Sequence, residues 1–201
     1  MIDTVADERR RGRPRSATAK RAILRAAFDL LVEHGLAATS MDAVAQRAGV
    51  SKATIYRWWP TKGLLALDAL YDGWETSPRG PRETGSLRGD LLALVRPWVR
   101  LASAPGSRRL LAALIAEAQR HPGFAAAYRE RFVEPRRAHG REVFARAVAR
   151  DEIPAATDVE VALDLLYGPL YHRLLHGHAR LNDRFVRDVV QATLASVAAA
   201  R

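Results

Sequence analysis

Three groups of side chains have types and spacings that can do chemistry. In Gly49-Val50-Ser51-Lys52-Ala53-Thr54, a glycine able to take positive φ precedes an N-cap hydroxyl and the first turn of a helix. The free N–H groups and positive dipole of a helix start suit phosphate oxygens or the acceptors on base edges. The second group is Arg11-Gly12-Arg13-Pro14-Arg15. Its glycine permits close approach, its proline removes a donor and stiffens the chain, and its arginines seek negative potential. Together they suit an extended segment in a narrow, A·T-rich minor groove; a basic solubilising tail is the plainer alternative. The third group is His172, His176 and His178, in which histidines one helical turn apart can share a metal. No glutamate accompanies them in the H-E-x-x-H manner, so surface or interface histidines are the preferred reading and no metal is expected.

The charge of the chain points the same way as the first two groups. Its 201 residues carry 32 Lys+Arg against 22 Asp+Glu, a surplus of +10, with 29 arginines, 3 lysines and 37 alanines. A GC-rich genome produces such a bias as readily as selection for charge does, so location matters more than total. Residues 1–62 hold 12 basic and 6 acidic side chains, or +6; residues 63–201 hold 20 and 16, or +4. The concentration at the N-terminus predicts a polyanionic partner for that part.

Composition also excludes classes. Without cysteine there is no disulfide framework, thiolate metal site or cysteine nucleophile. The apolar runs fall short of the roughly 18–20 residues a bilayer span needs, and MIDTVADERRRGRPR lacks the apolar core of a secretory signal. A cytoplasmic protein with no membrane partner is expected. No Gly-rich phosphate loop, G-x-S-x-G elbow or convincing acid pair is present, so no enzyme and no cofactor are expected.

The elements that must position these residues are helical. Residues 1–16 hold five arginines and little to bury, and predict a flexible arm. From Ala17, Ile23, Ala27, Leu30 and Leu31 mark an apolar stripe, closed by Gly35 as a C-cap. Thr39-Ser40 caps a short second helix with Met41, Val44, Ala45 and Ala48 on one face. Ser51 caps a third helix from Lys52 to about Trp59, stopped by Pro60. Thr61 opens a fourth, to Thr76. Beyond a Gly/Pro/Ser/Arg-rich loop at 76–89, amphipathic segments follow at about 87–103, 107–120, 123–150, 158–177 and 182–200. The fold class is all-α, and the second and third helices form a helix-turn-helix, whose second helix enters a DNA major groove. The division expected is an arm (1–16), a helix-turn-helix domain (17–62) and a larger helical domain (63–201).

Residues 17–64 resemble the N-terminal domain of the TetR/AcrR family of transcriptional regulators. The resemblance rests on Ala26-Ala27-Phe28, Gly35, Thr39-Ser40, Ala45, Ala48-Gly49-Val50-Ser51, Thr54-Ile55-Tyr56, Trp59-Pro60, Lys62 and Leu64-Leu65. The segment 164–175, DLLYGPLYHRLL, resembles the C-terminal region of one actinobacterial-type branch. The resemblance implies that Tyr56 and Lys62 hold DNA phosphates. It gives Ser40 another backbone contact, with a plain N-cap as the equal alternative. Ser51, Lys52, Ala53, Thr54 and Arg57 fall on or near the groove-facing surface, while Ile55 and Trp59 pack inward. Trp58 departs from the polar or basic residue usual there; its indole either donates to a phosphate or shields the core.

The resemblance further implies a homodimer, a palindromic operator on double-stranded DNA and a pocket for an unidentified small-molecule effector that releases a repressor. Two stripes on the last helices are the expected dimer interface: Leu163, Leu166, Leu170 and Leu174, and Val186, Val189, Val190, Ala192, Thr193 and Val197. Gly168-Pro169 predicts a kink or break in the first of them. Trp98, Phe124, Tyr128, Phe132, Tyr167 and Tyr171 are the candidate pocket lining, with plain core as the alternative. A protein that coats nucleic acid or a membrane surface without specificity accounts for the charge but not for the ordered turn chemistry of residues 39–62.

Overall fold

In a computed structural model of the chain, residues 13–72 and 82–198 are described. Among them every regular element is a helix. They form two compact units, one ending at Gly73 and one beginning at Trp74.

The first unit contains α1 (Arg13–Ala38), α2 (Met41–Ala48), α3 (Lys52–Tyr56) and α4 (Lys62–Asp72). Helix α1 packs against both α2 and α4. Ile23, Ala27 and Leu31 of α1 and Leu65, Ala66 and Leu70 of α4 are buried. Burying such an apolar stripe is what holds a helix of this length in place. Helix α4 therefore belongs with the first unit, and the division falls after it, not at 62/63. The segment to Thr76 lies partly outside the described residues. Helical conformation in α1 is interrupted at Gly35, with φ 83° and ψ 169°, which only glycine adopts freely.

Two sequence expectations about local structure are corrected. The arm expected over 1–16 overlaps α1, which begins at Arg13; Pro14 in its first turn suits a helix start because its missing N–H is unneeded there. Helix α3 is shorter than predicted: after Tyr56 the chain tightens, with Trp58 N–H bonding to Ile55 O at 3.0 Å.

The second unit runs α5 (Leu87–Ser103), α6 (Ser107–Arg120), α7 (Pro122–Tyr128), a π-helical turn at Arg129–Val133, α8 (Glu134–Ala149), α9 (Val159–His176) and α10 (Asp183–Ala198). Helix α5 packs on α6, α8 and α10, and α9 packs on α6, α8 and α10. The predicted break at Gly168-Pro169 does not occur; α9 is one helix through Pro169. Leu163, Leu166, Leu170 and Leu174 anchor its buried face on both sides of the proline. Gly168 and Pro169 lie on the exposed side, where water can satisfy the carbonyl that Pro169 leaves without a partner.

One buried carboxylate fastens this unit. Asp90 is fully buried. Its Oδ1 accepts from the Thr84 N–H at 2.7 Å and the Thr84 hydroxyl at 2.8 Å. Its Oδ2 lies 3.3 Å from Arg150 and 3.7 Å from Arg146. Burial acts to raise its pKa, but the Thr84 hydrogen bonds and the two guanidinium groups outweigh it and hold the carboxyl below its ordinary value. A depressed carboxyl pKa stabilises the fold above the range where free aspartate titrates, and that stability is lost as pH falls through the native value. Asp90→Ala removes the Thr84 hydrogen bonds and the one buried carboxylate that Arg146 and Arg150 share, leaving these arginines only their outer partners Glu83 and Glu152. Thermal and urea unfolding at neutral pH should show a loss of about 3 kcal/mol, and a smaller loss in acid.

Candidate nucleic-acid interface

The turn between α2 and α3 is built by caps. Ser40 accepts from the Ala43 N–H at 3.1 Å and opens α2. Gly49 closes it in the left-handed region, φ 65° and ψ 35°. The Gly49 and Val50 N–H groups return to Gln46 O (3.3 Å) and Ala45 O (3.1 Å), satisfying carbonyls that a helix end leaves free. Ser51 then accepts from the Thr54 N–H at 3.2 Å, and the two hydroxyls lie 2.8 Å apart. Two helices joined by the short turn Gly49-Val50-Ser51, with Met41, Val44, Ala45 and Ile55 buried behind them, form a helix-turn-helix.

The outward surface of α3 presents Ser51, Lys52, Ala53, Tyr56 and Arg57, all exposed, with Thr54 half-buried beside them. Lys52 Nζ lies 2.8 Å from Asp42, and this hydrogen-bonded pair holds the ammonium above its ordinary pKa. Ser40 is exposed as well as capping. Trp58 is half-buried, edge-on to Trp59 at 5.6 Å between ring centroids, with the Arg57 guanidinium 5.1 Å from its own ring. Ile55 and Trp59 are buried, and Trp59 Nε1 donates to Asp68 at 2.7 Å. Lys62 is tied inward: Nζ donates to Thr39 O at 2.8 Å and Ala37 O at 3.1 Å. These two bonds use two of its three protons.

Arg11 lies outside the described residues. Arg13 and Arg15 are on the first turns of α1, so the segment from Arg13 onward does not have the extended form predicted for a minor-groove strand.

The six aromatic residues proposed for a pocket are largely brought together in the second unit. Phe124 stacks near Tyr128 (6.4 Å), Tyr128 near Phe132 (5.2 Å) and Trp98 near Tyr171 (4.9 Å). At the centre stands a residue that sequence reasoning missed, Arg136, with 5% of its surface exposed. Its guanidinium lies 3.9 Å from the Phe132 ring centre and 5.7 Å from that of Tyr167. It donates to Tyr171 Oη at 2.6 Å and to Phe132 O at 2.9 Å. In an arginine-rich chain nothing in its type or spacing sets it apart. Burial pushes the Tyr128 phenol well above its ordinary value and the Tyr167 phenol up to about 12, so both stay neutral donors. The Trp98 indole N–H is buried and meets no acceptor among the described residues.

The side chains proposed for dimerisation are spent inside the protomer. Leu163, Leu166, Leu170, Leu174, Val186, Val189, Val190, Thr193 and Val197 are all buried in the single chain, which leaves them no surface to offer a partner; Ala192 alone of the set is exposed. The large aliphatic residues exposed on α9 are Val161, Leu165 and Leu175. The rings of His172, His176 and His178 cluster at 4.5 and 5.0 Å. Among the described residues no group of three potential ligands is arranged to hold a metal ion, and no helix is long and apolar enough to cross a membrane.

Comparison with known proteins agrees with this geometry. Residues 23–69 match the bacterial regulatory proteins of the tetR family, and residues 81–193 match the tetracyclin repressor-like C-terminal domain. The chain is 38% identical over 192 residues to the HTH-type transcriptional regulator YdeS of Bacillus subtilis, covering 94% of this chain and 95% of that one. It is 34% identical over 185 residues to the DNA-binding transcriptional repressor TetR of Mycobacteroides abscessus, covering 92% and 94%. Among solved structures it is similar to the TetR family transcription regulator SCO0332, with a TM-score of 0.74 and 36% identity over 89% of this chain and 98% of that chain.

The geometry of the turn makes Gly49 sensitive. No atom lies within 4 Å of the place a Cβ would occupy there, so the cost of a side chain is conformational and not steric. Gly49→Ala should destabilise the first unit by about 1 kcal/mol, and the β-branched Gly49→Val by more, in thermal melts.

Proposed function

The chain belongs to the TetR family of transcriptional regulators, and from that premise we infer that it is a repressor acting as a homodimer on a palindromic operator. DNA-binding transcriptional regulation is the function its relatives share. The reading is carried by one observation: a helix-turn-helix closed by caps at Ser40, Gly49 and Ser51, with cationic and hydroxyl side chains exposed on α3. Lys52 and Arg57 address base-edge acceptors, the Ala53 and Thr54 methyls meet thymine, and Ser40, Ser51, Tyr56 and Lys62 hold phosphates. Trp58 supports this surface by packing on Trp59 and Arg57. The name of the relative from M. abscessus supports repression. Homologous regulators have a role that is not enzymatic, and the chain is read as no enzyme.

Dimerisation gives each complex two recognition helices and matches a two-fold operator. The exposed side of α9, with Val161, Leu165 and Leu175, and the small exposed Ala192 and Ala195 of α10 are the surfaces proposed for it.

The effector site is placed at the aromatic cluster around Arg136. The π-helical turn at Arg129–Val133 carries Phe132 into this cluster, and such turns frequently mark functional sites. A buried donor without an acceptor costs about 1–3 kcal/mol, so a ligand acceptor near Trp98 Nε1 gains what the free protein forgoes. The effector is therefore an apolar or aromatic molecule carrying a hydrogen-bond acceptor. Its binding changes the spacing of the two recognition helices through α4 and the residues that follow it.

The operator can be obtained by selecting bound sequences from random DNA and its affinity read by fluorescence anisotropy. Lys52→Ala and Arg57→Ala should each weaken operator binding by about ten- to a hundredfold and relax preference at particular base pairs. Tyr56→Phe should weaken all sequences alike. Deleting residues 1–12 should reduce the salt dependence of binding, since it removes phosphate-seeking arginines. If no duplex is preferred over unrelated DNA in the selection, sequence-specific regulation is refuted.

A further inference from the structure

The second unit carries a concavity apart from the aromatic cluster. The turn between α5 and α6 and the connection between α9 and α10 line a cleft of about 740 Å³. Arg108, Arg109, Arg173, Arg180 and His178 line it, and none of its lining residues is acidic. Elsewhere on the surface, arginines such as Arg47, Arg96, Arg137, Arg141 and Arg187 pair with carboxylates. The four arginines of the cleft make no ion pair among the described residues.

Two of the cations are held in position. Arg173 donates to Arg180 O at 2.9 Å, and its guanidinium carbon lies 3.3 Å from the centre of the Phe185 ring. Arg108 rests against Gly177, where a Cβ would stand 2.2 Å from Nη1, so a side chain there would push this guanidinium aside. Gly177 also takes φ +64° as the C-cap of α9. Across the cleft, Ser103 Oγ donates to Leu181 O at 3.1 Å and links the two walls. Asn182 caps α10 through the Phe185 N–H at 2.9 Å, which commits its carbonyl oxygen. Four guanidinium groups gathered without a carboxylate repel one another, and a ligand of high negative charge density relieves that repulsion. Guanidinium forks match phosphate oxygens in pairs. The volume is in the range of small-molecule sites, and Ala102, Pro105 and Leu181 add an apolar wall.

We propose that this cleft binds a small molecule carrying a di- or triphosphate group. The site is distinct from the aromatic cluster and independent of where the effector binds. Isothermal titration of the full chain with sodium tripolyphosphate tests it. One molecule should bind per protomer, and Arg108→Gln with Arg180→Gln should weaken binding by about tenfold or more. Gly177→Ala should weaken it too, by displacing Arg108. Both arginines are exposed, so the double variant should keep the native melting profile. Lys52→Ala with Arg57→Ala should leave tripolyphosphate affinity unchanged. No binding overturns the proposal, as does equal affinity for the Arg108/Arg180 variant or loss of binding in the Lys52/Arg57 variant, which places the anion on α3. Citrate bound as tightly as tripolyphosphate overturns the assignment to phosphate.

Discussion

The C-terminal end of α1 is the point on which the DNA-reading unit depends. A helix end leaves carbonyls without intrahelical partners, and here two residues from later in the chain claim them. The Thr39 hydroxyl, 3% exposed, lies 2.8 Å from Gly35 O and 3.2 Å from Leu30 O. Lys62 caps Ala37 O and Thr39 O from the start of α4. Gly35 turns the chain so that Thr39 can reach back. The start of α2 and the start of α4 are thus fixed to neighbouring carbonyls of one stretch, Leu30 to Thr39, at and just past the end of α1. Because α3 follows α2 through a turn whose Gly49 and Val50 N–H groups are both committed, its outward face inherits this placement. A base-reading surface must be set to within a fraction of an ångström, and it is set by hydrogen bonds behind it.

The charges on that surface are held lightly. Lys52 pairs with Asp42, and Arg47 pairs with Glu33 at 3.1 Å, but all four side chains are substantially exposed. Exposed pairs of this kind contribute about 0–1 kcal/mol. Exchanging Asp42 for a DNA acceptor therefore costs Lys52 little, whereas displacing Lys62 uncaps a helix. The two lysines differ for that reason: Lys52 is held lightly at the surface, and Lys62 positions the helices. Arg57, resting over Trp58, has neither tie, and the indole gives it a platform from which no acid has to be displaced.

Local chemistry was the legible part of the sequence. The caps at Ser40, Gly49 and Ser51 and the inward packing of Ile55 and Trp59 follow from residue type and spacing within a few positions, and all are present. What resisted reading depends on contacts distant in sequence. The leucine stripe of α9 marks an apolar face but not what covers it, and it is covered by the same chain. Pro169 signals a break only if no buried face bridges it. Asp90 gains its partners Arg146 and Arg150 from the end of a helix and its C-cap, more than fifty residues away. Arg13 and Arg15 read as an arm by composition, yet Pro14 is compatible with a helix start. Arg136 is one of 29 arginines, and only its surroundings distinguish it.

Those surroundings limit what the C-terminal unit can accept. A guanidinium removed from water demands acceptors, since desolvation of a charge costs several kcal/mol. Arg136 meets the demand with a phenol oxygen, a π-turn carbonyl and the faces of aromatic rings, which attract cations through their quadrupole. Accepting from Arg136 commits a lone pair of Tyr171 Oη, which also shares a hydrogen bond with Tyr128, and Tyr167 and Tyr128 are kept protonated by burial. The cluster is consequently rich in donors and cation, and poor in acceptors. A molecule entering it gains by presenting oxygen or a π-face and loses by presenting an ammonium. The cleft at Arg108 and Arg180 imposes a different condition, because its cations are in water and respond to total negative charge more than to shape. The two sites proposed for this unit thus differ in kind, one governed by desolvation and one by field.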